Sequence, residues 1–160
     1  NQNSISDGTA VYPAAFKDLV VFFLNADIGI VQMPCPELCC LGLDRGNIHG
    51  ADSPLVVENT RIRKEMKEDG ANRKLAKLAD YVVQQILEYD KSGFEIVGMV
   101  GANRSPNCGV DTTSDRNEEI SGMGLFIEEI SSRLSNMDIT IPMIGLKGND
   151  NIIERLQQLL

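Results

Sequence analysis

No apolar run in this chain reaches the ~18 residues that a membrane-spanning helix needs, and no signal-peptide pattern is visible in it. Basic charge is also short: 15 Lys and Arg stand against 23 Asp and Glu, for a net charge of −8. A nucleic-acid or anionic-membrane surface partner needs a broad basic face, so neither is expected. A small basic pocket is still allowed. There is one histidine, His49, which leaves a Cys–His nucleophile with little to build on. Four cysteines are too few for a disulfide-dense secreted scaffold. Two of them, Cys39 and Cys40, are adjacent, which suits a reduced, cytoplasmic setting better than a disulfide framework. Paired C-x2-C zinc knuckles are missing, as are a redox C-x-x-C and the C-x3-C-x2-C of radical enzymes that use S-adenosylmethionine. The Gly101-Ala102-Asn103 turn lacks the G-x-G-x-x-G pattern of a dinucleotide site.

What remains is a chain of 160 residues, 42% hydrophobic and 24% charged, the size and composition of one α/β domain spanning residues 1–160. Asn1 to Thr9 reads as a loop. Pro13 suits the first turn of a helix, and Phe16, Leu19, Val20 and Phe23 recur at helical spacing up to Asn25. Ile28 to Met33 is a short, β-branched apolar run, expected to be a buried strand. From Cys35 to about Asp69 no period is sustained, and the charges from Arg61 to Glu68 read as a solvated surface or a lid. Leu75, Leu78, Ala79, Val82, Ile86 and Tyr89 then form one helical stripe, stopped by Gly93. Phe94 to Val100 is a second strand, Glu119 to Asn136 a helix, and Ile139 to Leu146 a third strand. Asn149 or Asp150 caps a last helix carrying Ile153, Leu156 and Leu160. Strands alternating with helices predict a mainly parallel sheet covered on both faces, a three-layer Rossmann-like or flavodoxin-like domain.

In such sheets the loops leaving the carboxyl ends of the strands gather on one edge, where ligands bind. Two segments are built alike. Ile28 to Met33 runs into Pro34-Cys35-Pro36-Glu37-Leu38-Cys39-Cys40, and the second strand runs into Arg104-Ser105-Pro106-Asn107-Cys108-Gly109. Both are therefore expected on the same edge, as one composite site. Idle cysteines acting as small hydrophobes are the plain alternative. Iron–sulfur ligation suits thiolates collected from separate loops. Pro34, Pro36 and Pro106 stiffen these loops, and Gly109 allows close approach to a bulky group.

Cys35-Pro36-Glu37 and Ser105-Pro106-Asn107-Cys108-Gly109 resemble the C-P-E and S-P-S-C-G motifs of the thiouracil desulfidase family, and the chain looks like a divergent branch of it. The order of elements matches over most of the chain, whereas motif identity is confined to these two segments. The resemblance implies a [4Fe-4S] cluster held by three cysteines, with the fourth iron open to take sulfur from a small thiocarbonyl substrate. Cys35 and Cys108 are then cluster ligands, Glu37 the catalytic carboxylate and Ser105 the catalytic serine. The third ligand is expected on a first strand upstream of Asn1.

Past C-P-E the chain departs from the family, with Cys39-Cys40-Leu41-Gly42 and Asp44-Arg45 where a Gly-Gly-rich stretch and a Pro-Arg pair are expected. Arg45 is the counterpart of that arginine, for an anionic substrate group or a carboxylate, and Arg104 is a second substrate-binding candidate. A solvated loop arginine is the alternative for each. Cys39 or Cys40 could replace a metal ligand or carry sulfur as a persulfide. The expected activity is hydrolytic desulfuration of a thiouracil-like compound. The alternatives are a non-catalytic iron–sulfur or persulfide carrier, a redox sensor, or a small-molecule-binding flavodoxin-like domain.

Overall fold

A computed structural model describes residues 17–147 and 151–160. The loop at Asn1 to Thr9, the helix start at Pro13 and Phe16, and the cap at Asn149 or Asp150 lie outside the described residues. In chain order the elements are α1 (Lys17–Asn25), α2 (Pro36–Leu41), a 3-10 turn at Gly50–Asp52, α3 (Leu55–Lys67), α4 (Asp69–Lys91) and β1 (Met99–Ala102). They continue with β2 (Thr112–Asp115), β3 (Glu118–Ser121), α5 (Leu125–Ser135), β4 (Met143–Leu146) and α6 (Ile152–Leu156).

β1 and β4 pair in parallel, Met99 opposite Met143 and Ala102 opposite Leu146. Successive strand residues face opposite ways, so this narrow ribbon meets two apolar clusters. Met99 and Met143 pack with α4 and α5, whose buried residues include Leu75, Ala79, Val82, Phe126 and Ile130. Ile144, Leu146 and Val100 pack instead with Phe23 of α1 and Leu156 of α6. The fold is mixed α/β, with a small parallel sheet.

Four sequence expectations change. Ile28 to Met33 is not a strand. A strand exists by virtue of its ladder, and among the described residues this run has none; Ile30 and Val31 are exposed. The stretch from Glu119 opens in β3, the second strand of the β2–β3 hairpin, and α5 begins only at Leu125. The hairpin turns through Arg116 and Asn117, both at positive φ (52° and 64°). Tight hairpins demand that geometry, but Arg-Asn does not advertise it. The Asn117 N–H donates to Thr60 Oγ1 at 2.8 Å, tying the turn to α3. The strands at Phe94 to Val100 and Ile139 to Leu146 are shorter than expected and begin at Met99 and Met143. Pro142 has no N–H for a ladder, and only its carbonyl contributes, accepting from Met99 N at 2.8 Å.

The largest correction is α3. The supposedly irregular stretch from Cys35 to Asp69 holds two helices, and its charge run is not a lid but the end of one helix, with Lys64, Glu65, Lys67 and Glu68 exposed and Arg61 and Arg63 turned toward the loops. α3 buries Ile62 and Met66 against α4, and also Glu58, Asn59 and Thr60. Each of these polar groups reaches a loop or holds a residue that does. Glu58 is gripped by Arg61, Nη2 to Oε1 at 2.7 Å and Nε to Oε2 at 3.0 Å, and accepts from Asn47 Nδ2 at 3.1 Å. Arg61 Nη2 also donates to the carbonyl of Arg45 at 2.8 Å. On the same stretch of helix, Asn59 Nδ2 donates to the Arg104 carbonyl at 3.3 Å, and Arg63 Nη1 to the Pro106 carbonyl at 3.1 Å. α3 is thus a polar clamp on both cysteine loops.

Arg61→Met would leave the buried Glu58 carboxylate with only Asn47. Chemical denaturation should show a loss of about 3 kcal/mol, as for a broken buried ion pair. A loss under about 1 kcal/mol would mean that α3 does not hold these loops.

Candidate functional site

The first half of the site is α2 and the turn after it. Cys35 is the N-cap and Pro36 occupies the first helical position, where a missing N–H costs nothing. Glu37 follows in the first turn, where the helix dipole favours a carboxylate, and it is buried at 7% exposure. The chain then turns through Arg45, which sits at φ 52° with only 2% of its surface exposed. A non-glycine residue in left-handed backbone costs on the order of 1 kcal/mol, and its contacts account for why it stays. Its carbonyl is held by Arg61. Its guanidinium donates to the Leu43 carbonyl, reaches Glu37 Oε2 at 3.3 Å and lies 3.7 Å from Cys35 Sγ.

The second half is the loop from Asn103 to Gly109, which leaves β1 and folds back on itself. The Ser105 hydroxyl oxygen accepts from the Cys108 N–H at 2.9 Å and the Asn107 N–H at 3.3 Å. The Asn107 carbonyl accepts from Phe126 N and Ile127 N at the start of α5. Backbones meet closely here. A Cβ on Gly109 would lie 2.1 Å from the Thr112 carbonyl oxygen, and one on Gly124 would lie 2.4 Å from the Asn107 carbonyl carbon. Gly109 is therefore needed so that the loop can close on its own chain.

The halves meet through Asn107, which is fully buried and donates from Nδ2 to Glu37 Oε1 at 2.9 Å. Glu37 is thus held from both oxygens, by Arg45 on one side and Asn107 on the other. The Oδ1 of Asn107 is buried and has no hydrogen-bond partner among the described residues. An orphan of this kind typically costs about 1–3 kcal/mol. Asn107 was quoted in the sequence motif without a role. An asparagine before a cysteine carries no signal of its own, and only the burial and the partner reveal it.

The four cysteines are free and differ in environment. Burial pushes the Cys108 thiol well above its ordinary value, helped by the nearby Glu37 and Cys35 and opposed by a hydrogen bond from Ser105. Cys35 is raised chiefly by burial, with backbone N–H groups of α2 opposing. Cys40, half-buried against the core, is pushed up to about 11 by burial and then by Cys39. Cys39 is exposed. Arg104 is placed differently from Arg45: its backbone at φ 71° is pinned by Thr112, Ser114 and Asn59, and its charge acts on Glu119 of the hairpin.

Cys35, Cys108, Glu37, Arg45 and Ser105 therefore share one neighbourhood, whereas Arg104 joins through its backbone and Cys39 faces solvent. Among the described residues no three His, Cys, Asp or Glu side chains are grouped to hold a metal ion. Two neighbouring thiols suit an iron–sulfur cluster in kind and supply two of the three cysteines that the resemblance implies. The arrangement can hold a carboxylate fixed beside two sulfur atoms, in surroundings that keep the thiols protonated at neutral pH.

Thiol alkylation followed by mass spectrometry should label Cys39 first and Cys108 last. Because the thiolate is the reactive form, labelling of Cys40 should accelerate as the pH rises toward about 11. In the folded state these thiols stay protonated above the ordinary 9.0. The unfolded chain binds fewer protons there, so stability is fully kept below pH 9.0 and falls as pH rises beyond it. Uniform labelling of all four at neutral pH would contradict these environments.

No family model matches the chain, and no solved structure matches it. Among the described residues no helix is long and apolar enough to cross a membrane. Over 151 residues the chain is 27% identical to a protein of Methanocaldococcus jannaschii described only as uncharacterized, an alignment covering 94% of this chain and 81% of that one.

Proposed function

We propose that the site between α2 and the Asn103–Gly109 loop removes sulfur from a small thiocarbonyl compound of thiouracil type. Water supplies the oxygen that replaces sulfur on carbon, and sulfur leaves as hydrosulfide. The observation that carries this reading is Glu37, a buried carboxylate held at both oxygens and set beside the thiols of Cys35 and Cys108. The motif resemblance points to the same residues. On this reading the β1–β4 pair is the centre of a three-layer Rossmann-like sheet, and the two apolar clusters on its faces support that.

Cys35 and Cys108 would hold a [4Fe-4S] cluster, with a third ligand from outside the described residues. When bound, such a cluster supplies an open iron that acts as a Lewis acid toward sulfur. Glu37 does the proton work. Held there, Glu37 is placed to take a proton from the attacking water and return it to the departing sulfur. Arg45 holds Glu37 in place. Ser105 shapes the loop and steadies the sulfur of Cys108. Cys40, at about 11, is a poor nucleophile at neutral pH, which disfavours the persulfide carrier on that residue.

Anaerobic incubation of the protein with iron and sulfide, followed by assay of hydrosulfide released from thiouracil, tests the reading. Cluster absorbance, bound iron and release are expected. Glu37→Gln should keep the iron and lose about 100-fold or more in turnover. Neither iron nor cluster absorbance in the wild type, or full turnover in Glu37→Gln, would defeat the proposal.

A further inference from the structure

Asn107 has a polar atom that the fold leaves unused. Its backbone N–H goes to Ser105, its carbonyl is taken by the first N–H groups of α5, and its Nδ2 holds Glu37. Only Oδ1 has no partner among the described residues. The amide cannot be turned over to relieve this, because Oδ1 would then face the carboxylate oxygen of Glu37, acceptor against acceptor. The orphan is thus fixed as an acceptor, one bond from the carbon that carries Nδ2, and so beside the carboxylate. Buried acceptors without partners are rare in folded proteins. Where one adjoins a candidate catalytic group, a ligand's donor is a natural occupant.

The chemistry of the missing partner narrows the ligand. A thiocarbonyl sulfur is an acceptor and cannot satisfy another acceptor. An N–H can, and in a thioamide or cyclic thioureide it sits on the atom bonded to the thiocarbonyl carbon. That spacing puts the N–H against Oδ1 while the carbon lies near Glu37, which Asn107 holds through the other end of the same amide. Thioesters, thioketones and fully alkylated thioamides bring no such hydrogen. Because Oδ1 is covered, a ligand has to part the side chains above it on entry.

We propose that Asn107 Oδ1 is a specificity determinant that accepts an N–H of the substrate, so that the site selects thioamide-type compounds carrying hydrogen on the nitrogen next to the thiocarbonyl carbon. This rests on the desulfidase reading for the nature of the ligand, and it adds the substrate class. It also assigns a role to the residue at which the chain departs from the S-P-S-C-G pattern.

Calorimetric binding of 2-thiouracil and of its 1,3-dimethyl derivative tests it, with hydrosulfide release measured alongside. The wild type should bind the N–H compound about 10-fold or more tightly, as expected for a buried acceptor that gains a donor. In Asn107→Ser, with folding checked by its thermal melt, the ratio should fall to within about 2-fold. Should that variant not fold, Asn107→Gln, which displaces the oxygen by a methylene, should give the same collapse. Equal affinities in the wild type, a ratio kept in the variants, or binding of neither compound would overturn the assignment and leave the orphan to a buried water. The binding contrast without hydrosulfide release would support the acceptor and defeat the desulfidase reading. Release from both compounds alike, with no contrast, would do the reverse.

Discussion

A carboxylate nearly closed to water has to be held by donors, because leaving it bare would cost several kcal/mol. Glu37 is in that position, and much of the surrounding structure answers it. Two of its donors come from different parts of the chain: Arg45 from the turn after α2, and Asn107 from the loop after β1. Seventy residues separate Glu37 from Asn107 in sequence, yet the pair fixes how the two cysteine loops face each other. The buried pair is a weak net source of stability, because desolvation offsets most of its attraction. Its value lies in register, since the same carboxylate is shared by donors from both loops.

That register would drift without α3. Arg45 and Arg104 both stand in left-handed backbone, and the carbonyls of Arg45, Arg104 and Pro106 take donors from outside their loops. α3 provides them from alternate residues along one short stretch: Asn59 holds the Arg104 carbonyl, Arg61 the Arg45 carbonyl and Arg63 the Pro106 carbonyl. The helix is itself anchored by Ile62 and Met66, both fully buried. A rigid element holding two loops at fixed spacing is what a site made from distant segments requires. The functional reading takes its plausibility from this arrangement as much as from the motifs.

The legible parts of the sequence were those governed by apolar periodicity. α4 buries Leu75, Ala79 and Val82 of its predicted stripe, α5 lies inside the expected helix, and β4 falls within its apolar run, while β1 overlaps its run at Met99 and Val100 and continues to Ala102. α3 was hidden because its buried face includes Glu58, Asn59 and Thr60, which read as surface until their partners are known. Ile28 to Met33 misled in the opposite direction, since its β-branched residues promised a strand that no described ladder supports. At the site, Cys35 and Cys108 stand out as cysteines of two similar loops, Glu37 and Ser105 are singled out by the motif resemblance, and the structure places the four in one neighbourhood. Asn107, Arg61 and Arg63 are not singled out, because a hydrogen-bond role across tens of residues leaves no local pattern.

The functional proposal depends on one geometric statement, that Asn107 and Glu37 are bonded to each other beneath the two loops. A double-mutant cycle on stability measures that contact directly, using Glu37→Gln, Asn107→Ser and the pair, each unfolded in denaturant. A coupling energy of about 1–3 kcal/mol is predicted, the range for residues sharing a buried charged hydrogen bond. Additive effects, with coupling near zero, would contradict the account, because the two loops would then not be joined at this carboxylate.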